Sequence, residues 1–353
     1  VQGHLITPLW PGTGSWGLRK GWKRRLAAIA AALVLAPAAL AAVLGAASAS
    51  AAGDAAASAS AVPSPPAGWT TAYSDSFSGP AGSGVDPSWT YDTGTRYRGA
   101  GCAAGYGTGE VERTTSAPAS VSEDGSGHLT ITAARSGSPG GGWTSGRIET
   151  TADRFEAPAG GEMEVTASIR QPDPASGAGY WPAFWMLGAG FRSSGAGTAG
   201  TMNCASWPAV GEIDIMEDVN AQSQVSGTLH CGTSPGGPCH EAGGLGSGLT
   251  ACPGCQAGYD TYTAVVDRTD PGAESVTYYR DGSAYYSVSE RQVGVAAWAA
   301  AVDHGFFLIL DLALGGGYPD GVCGCAAPGA STSSGGSMSV GYVAVYTKAG
   351  PGR

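Results

Sequence analysis

The chain has 353 residues, 59 of them glycine and 22 proline, and only 13 % are charged. Such a mix excludes coiled coils and long helical bundles, which need alanine, leucine and charged residues at helical spacing. With 42 % hydrophobic residues and ten tryptophans the chain can still bury a core, and a formal charge of −10 disfavours nucleic acid, anionic membranes and polyanionic substrates.

That charge is unevenly spread. Residues 1–53 hold five basic side chains (Arg19, Lys20, Lys23, Arg24 and Arg25) and no acidic one, leaving 13 basic against 28 acidic residues beyond, a net −15. Arg19 to Arg25, the apolar run Leu26 to Gly45 and the small residues Ala47 to Ala51 follow the order of a secretory signal peptide. The run is about as long as a membrane span, so a signal anchor is the rival reading; Pro37 and the alanine-rich composition favour cleavage and release. Residues 54–66, rich in Ala, Ser and Pro, read as a flexible linker, and 67–350 as one domain.

Strand periodicity dominates that domain. Leu129 to Ala133 and Glu162 to Arg170 alternate polar and apolar residues, as strands with one buried face do. Tyr259 to Val266, Val276 to Tyr279 and Met338 to Tyr346 are further β-rich runs. Asp281-Gly282 between two of them predicts a hairpin, because both residues tolerate positive φ. Phe306 to Leu314 is too apolar to alternate and predicts a strand covered on both faces. No window of a dozen residues shows a convincing amphipathic helix. The expectation is an all-β sandwich with glycines in its turns; the Gly-rich stretch Gly99 to Gly109 reads as one such turn.

All eight cysteines lie beyond residue 100. In an exported chain an even count implies up to four disulfides, with Cys231 and Cys239 expected to close a Gly/Pro-rich loop. Cys252-Pro-Gly-Cys255 has zinc-ligand spacing, with His230, His240 and Cys323-Gly-Cys325 as further candidates, but oxidation after export argues against a metal.

The chemistry concentrates at Gly211-Glu212-Ile213-Asp214-Ile215-Met216-Glu217. In a chain this poor in charge, three carboxylates fall within six positions among Ile, Ile and Met. On a regular strand Glu212 and Asp214 share a face and Glu217 points away. A β-bulge near Met216 would return Glu217 to that face, and bulges are frequent beside active sites. Two glutamates so placed suit retaining glycoside hydrolysis, which needs one ionised and one protonated carboxyl.

This segment resembles the ExDxxE active-site strand of glycoside hydrolase family 16 in its bulged, laminarinase-like form. The resemblance continues in Tyr73 to Gly79, Trp89 to Asp92, Trp143 to Ile148, Gly179 to Leu187, Trp207-Pro208, Thr228-Leu229-His230, Asp311 to Gly316 and the last strand. It implies a concanavalin-like β-jelly-roll sandwich of two antiparallel sheets with a concave sugar-binding cleft. By the same likeness Glu212 is the nucleophile and Glu217 the general acid and then base, while Asp214 shares a hydrogen bond with the nucleophile. Trp207 would stack on the sugar beside Glu212. Trp181 and Trp185 share a face that is either cleft or core, His230 is expected close to the acid/base, and Arg147 is expected to donate to sugar hydroxyls.

The chain departs from the pattern at Asp311 and Tyr318, where many relatives have Asn and Trp, and at Gly341, where many have an Asp that helps hold a structural calcium. No cofactor is therefore expected, and calcium is disfavoured. The Cys231 to Cys255 insertion is expected to form part of a cleft wall. The leading expectation is a secreted, monomeric endo-glucanase acting on a neutral β-1,3 or mixed β-1,3/1,4 glucan. A β-galactan hydrolase, a glucan transglycosylase and a non-catalytic lectin are the alternatives.

Overall fold

A computed structural model describes residues 61–99, 102–137, 142–192 and 201–350. The expected signal peptide and the first part of the expected linker lie outside these residues. Among the described residues two sheets pack face to face. The outer sheet runs Ser283–Ser289, Ser275–Arg280, Asp260–Asp267, Glu162–Arg170, Gly336–Lys348, Leu129–Arg135, Trp143–Ser145 and Glu112–Thr114; Thr70–Asp75 also pairs with Gly336–Lys348, and Val121–Glu123 with Leu129–Arg135. The inner sheet runs Leu245–Gly246, Gln224–His230, Glu212–Glu217, Tyr180–Gly188, Phe306–Leu314, Arg147–Thr150 and Trp89–Tyr91, with Thr250–Ala251 also on Gln224–His230. Pairing is antiparallel apart from Glu112–Thr114 with Trp143–Ser145. This is the expected jelly-roll sandwich.

The strand Phe306–Leu314 shows why its sequence does not alternate. All nine residues are buried, but on two different sides. Phe306, Leu308, Leu310, Leu312 and Leu314 enter the core between the sheets, with Ile131, Val165, Ile169, Phe184, Met186 and Val340. Phe307 and Ile309 join a second apolar cluster with Tyr97, Tyr106, Trp185, Leu187 and Phe191 on the other face. Each such side chain contributes roughly 1.5–3 kcal/mol on burial, so both faces of this strand are held in place.

The Asp281-Gly282 turn has φ of 48° and 72°, and it joins Ser275–Arg280 to Ser283–Ser289 as expected. Helices are short: Glu290–Val293, Val295–Val302, which buries Trp298, and Gly317–Cys323. All eight cysteines pair, as Cys102–Cys204, Cys231–Cys239, Cys252–Cys255 and Cys323–Cys325. At the start of the domain, Thr70 pairs with Thr347 across the outer sheet. Val62 and Trp69 pack on Tyr342, Ala344 and Tyr346, and the Tyr346 hydroxyl donates to the Pro63 carbonyl. The described end of the expected linker, residues 61–66, thus includes two residues in contact with the last strand.

Candidate active site

Gly211 leads into the acidic strand at φ 77°, and a Cβ there would lie 1.9 Å from the Ala301 carbonyl oxygen, so only glycine fits. From Glu212 the strand pairs regularly with Tyr180–Gly188 as far as Asp214–Trp185. The next partners are Met216–Phe184 and Glu217–Ala183, so one extra residue has been inserted. The other neighbour records the same shift, from Asp214–Thr228 to Glu217–Ser226. This is the expected bulge.

Its cause is chemical. Strict alternation would send Met216 to the cleft and the Glu217 carboxylate between the sheets. The bulge instead puts Ile213, Ile215 and Met216 in the core and Glu212, Asp214 and Glu217 in the cleft lining. Burying the methionine stabilises by roughly 1.5–3 kcal/mol, and an unpaired buried carboxylate would cost several kcal/mol.

The three carboxylates differ in their partners. Glu217 accepts a hydrogen bond from Trp181 Nε1 at 2.8 Å. His230, paired across the strands with Glu212, brings Nε2 to 3.3 Å from Asp214 Oδ2 and 3.9 Å from Glu212 Oε1. His230 is thus the close polar partner of Asp214 and Glu212, and its charge also reaches Glu217. The reason is register, because His230 sits opposite the first acidic residue of its neighbour.

Burial raises Glu212 from 4.5 to about 8; the Asp214 charge adds to this, while His230 and Arg147 oppose it. Burial, and then the Asp214 charge, pushes Glu217 well above the usual carboxylate range against the Trp181 N–H. Burial alone would lower His230. Hydrogen bonds to Asp214 and Glu241, with the charges of Asp214 and Glu212, raise it well above an ordinary imidazole. Burial and the Asp214 charge thus push both glutamates up, and His230 opposes them at each.

A cleft of about 1050 Å³ surrounds these groups. The Trp207 ring lies 5.7 Å from the His230 ring at one end of the trio. Trp181 packs edge-on against Tyr318 at 5.6 Å at the other, and the Tyr318 hydroxyl lies 3.2 Å from Ser226 Oγ. Trp181 and Trp185 both face the cleft, although Trp185 is buried and donates to Asp311 Oδ1 at 2.8 Å. Ser234, Ala242, Gly243, Gly244, Gly246 and Gly248 of the Cys231 to Cys255 insertion line one wall, as expected. Gly244, at φ 69°, lets that wall close on His230: a Cβ there would meet the imidazole at 2.9 Å.

Arg147 lines the cleft but is almost wholly enclosed. It is 3 % exposed, with Nε 3.6 Å from Asp92 and Nη1 3.4 Å from Asp311, and its other terminal nitrogen donates to the Tyr97 hydroxyl. The rings of Tyr97, Tyr106 and Trp185 enclose its guanidinium at 4.5–4.9 Å. Held by these groups while still lining the cleft, it shapes the cleft floor. Sequence reasoning missed Glu241, Tyr97 and Tyr106, the last because the Gly99 to Gly109 region reads as a turn; Tyr97 and Tyr106 both line the cleft.

Among the described residues two groups carry metal-type side chains. Cys252 and Cys255 are bonded to each other beside Asp260. In the cleft, His230 is engaged at both ring nitrogens, by Asp214 and by Glu241. At Gly341 no side-chain oxygen is offered, and the nearest neighbours of a Cβ there would be Ser168 and His128. That position does not fit the calcium some relatives are expected to hold.

Comparison with known proteins places the chain among glucan-acting relatives. A family model described as "XgeA-like, catalytic GH16 domain" matches residues 170–242. The crystal structure of an endo-1,3-beta-glucanase from Streptomyces sioyaensis is 46 % identical, with a TM-score of 0.74, covering 82 % of this chain and 100 % of that one. The "Beta-glucanase" of Rhodothermus marinus is 30 % identical over 71 % of this chain and 77 % of its own length. The "Glucan endo-1,3-beta-glucosidase A1" of Niallia circulans is 29 % identical over 79 % of this chain but only 38 % of its own length. This chain spans between about a third and two fifths of the first curated relatives it matches.

Proposed function

This chain belongs to glycoside hydrolase family 16, and from that premise we propose that it is an exported endo-glucanase cleaving β-1,3 bonds in a neutral glucan with retention. The observation that carries the reading is the bulge, which sets Glu212, Asp214 and Glu217 along one face of one strand inside the cleft. Support for the linkage comes from relatives whose names specify 1,3-β-glucans. Mixed β-1,3/1,4 glucan is a further substrate of the proposal.

In the proposed double displacement, Glu212 attacks the anomeric carbon as its carboxylate while Glu217 protonates the departing oxygen. Glu217 then takes a proton from the water that releases the glycosyl-enzyme. Burial and the Asp214 charge hold the proton on Glu217, while the charges of His230 and Arg147 favour the ionised form of Glu212. Trp207 and Trp181 offer ring faces and edges on either side of the scissile bond, where sugar rings are held by aromatic contact.

A second reading, a galactan hydrolase, draws on a 30 % identical "Keratan-sulfate endo-1,4-beta-galactosidase". The carboxylates lining the cleft oppose a sulfated ligand. We further propose that the protein acts as a monomer and that residues 1–53 direct export. Among the described residues no helix is long and apolar enough to cross a membrane. The test is reducing-sugar release from laminarin, with the anomer of the first product followed by NMR and Glu212→Gln as control. A β-anomer released first, and lost in the variant, is the expected result. An α-anomer would refute retention, and turnover of laminarin undiminished in Glu212→Gln would refute the assignment of the nucleophile.

A further inference from the structure

Glu241 lies outside the acidic strand, in the insertion after His230, yet its carboxylate is fully buried. Its two oxygens meet two different donors. Oε1 accepts from the Cys231 backbone N–H at 2.8 Å, and Oε2 accepts from His230 Nδ1 at 2.8 Å. The residue is held from behind: its own backbone N–H and carbonyl pair with Gly236 at 2.6 Å each way, and the Cys231–Cys239 disulfide closes the loop between. A short cross-linked loop thus delivers one carboxylate to the far side of the imidazole.

We propose that Glu241 is the positioning residue of this active site: it fixes the ring and protonation of His230 so that Nε2–H is aimed between Asp214 and Glu212. The inference rests on the reading of Glu212 as nucleophile. A histidine whose Nδ1–H is bound by a carboxylate carries a second proton on Nε2 more readily, and its orientation is set by that bond. Every charged group facing His230 is then accounted for. Glu212 and Asp214 face it from the acidic strand and Glu241 from the loop, while Trp207 covers the ring. Three carboxylates around one imidazole favour its cation, and that cation opposes the burial that would otherwise keep the Glu212 proton in place. Arg147 is the other cation acting on Glu212, and Glu217 is the remaining carboxylate on which the His230 charge acts.

Gln cannot replace Glu241 without loss. It presents one oxygen and one NH2 where two donors converge, so either the His230 or the Cys231 N–H faces another donor. In Glu241→Gln, kcat on a laminari-oligosaccharide is expected to fall about tenfold to a hundredfold with KM nearly unchanged. The acid limb of kcat/KM should move, because Gln withdraws both the support for the His230 cation and the Glu241 charge that itself acts on Glu212. Glu241→Asp, which keeps the charge, should recover part of both. Wild-type kcat and an unmoved acid limb in Glu241→Gln would overturn the proposal.

A second measurement needs no variant. In ¹⁵N-histidine NMR of the wild-type protein, His230 should be protonated on both nitrogens at pH 7. A neutral ring with a bare Nδ1 would overturn the proposal even if Glu241→Gln failed to fold. Full activity of Glu212→Gln would instead refute the glucanase mechanism and leave the NMR result standing.

Discussion

Two buried charge clusters share the inner sheet, and they are built on opposite plans. Around Arg147 a permanently charged guanidinium is clamped by Asp92, Asp311 and the Tyr97 hydroxyl and walled by three aromatic rings. Around His230 an imidazole, which can lose its charge, is surrounded by Glu212, Asp214 and Glu241, and it opens onto the cleft. The Arg147 cation holds its charge at any working pH and gives the floor its shape. The second cluster changes charge when a proton moves, which is what acid–base chemistry requires. Lining the same cleft does not make two buried ions alike; what decides is whether the cation can titrate.

The sharpest way to separate the clusters is to remove one member of each. Glu212→Gln should reduce kcat by about 10⁴-fold or more while circular dichroism and the melting profile stay those of a folded protein. Arg147→Met should act in the other direction. It leaves Asp92 and Asp311 without their counter-charge and should cost about 3–5 kcal/mol of stability, seen as a lower midpoint in urea. Normal stability in Arg147→Met would break the contrast, because it would mean the floor does not depend on its ion.

A third expectation concerns pH. The Glu212 carboxyl is raised from 4.5 to about 8 in the fold, so between those values the folded state holds a proton that the unfolded chain has released. Its influence on stability is therefore most favourable below about pH 4.5 and is lost as pH rises towards 8. Gln removes this penalty. Glu212→Gln should melt about 2–6 °C above wild type at pH 7 and close to it at pH 4, as scanning calorimetry would register. Equal midpoints at both pH values would contradict the burial assigned to Glu212. The smallest effect is expected at the rim: Trp207→Ala should raise KM about fivefold to tenfold, with kcat changed less, as steady-state kinetics on laminari-oligosaccharides can resolve.

The strands and the acidic trio were legible because their information is local. Glu162 to Arg170 announces its faces by alternation, and the parity of Glu212, Asp214 and Glu217 demands a bulge if all three are to meet. The partners of Arg147 were not legible. Asp311 lies 164 residues away in a strand whose apolar neighbours conceal one acid meant for a cation. Trp181 and Trp185 could be assigned to a face only together, not to the cleft or the core, since both faces of their strand are buried. Glu241 was hidden for a third reason. It sits in a glycine-rich insertion without periodicity, where nothing ties it to His230 until the disulfide folds the loop back. Position on the inner sheet was readable, while reach across a loop was not.

The pairing of Thr70 with Thr347 has a use unrelated to catalysis. Antiparallel partners lie about 5 Å apart, so the two ends of the catalytic fold leave from one spot, on the sheet opposite the cleft. Such a fold behaves as a cassette. A binding module or a surface tether attached at either end would depart from the same place without crossing the path of a polysaccharide. Joining the ends through a few glycines and reopening the chain at the Asp281-Gly282 turn is then expected to give a folded circular permutant.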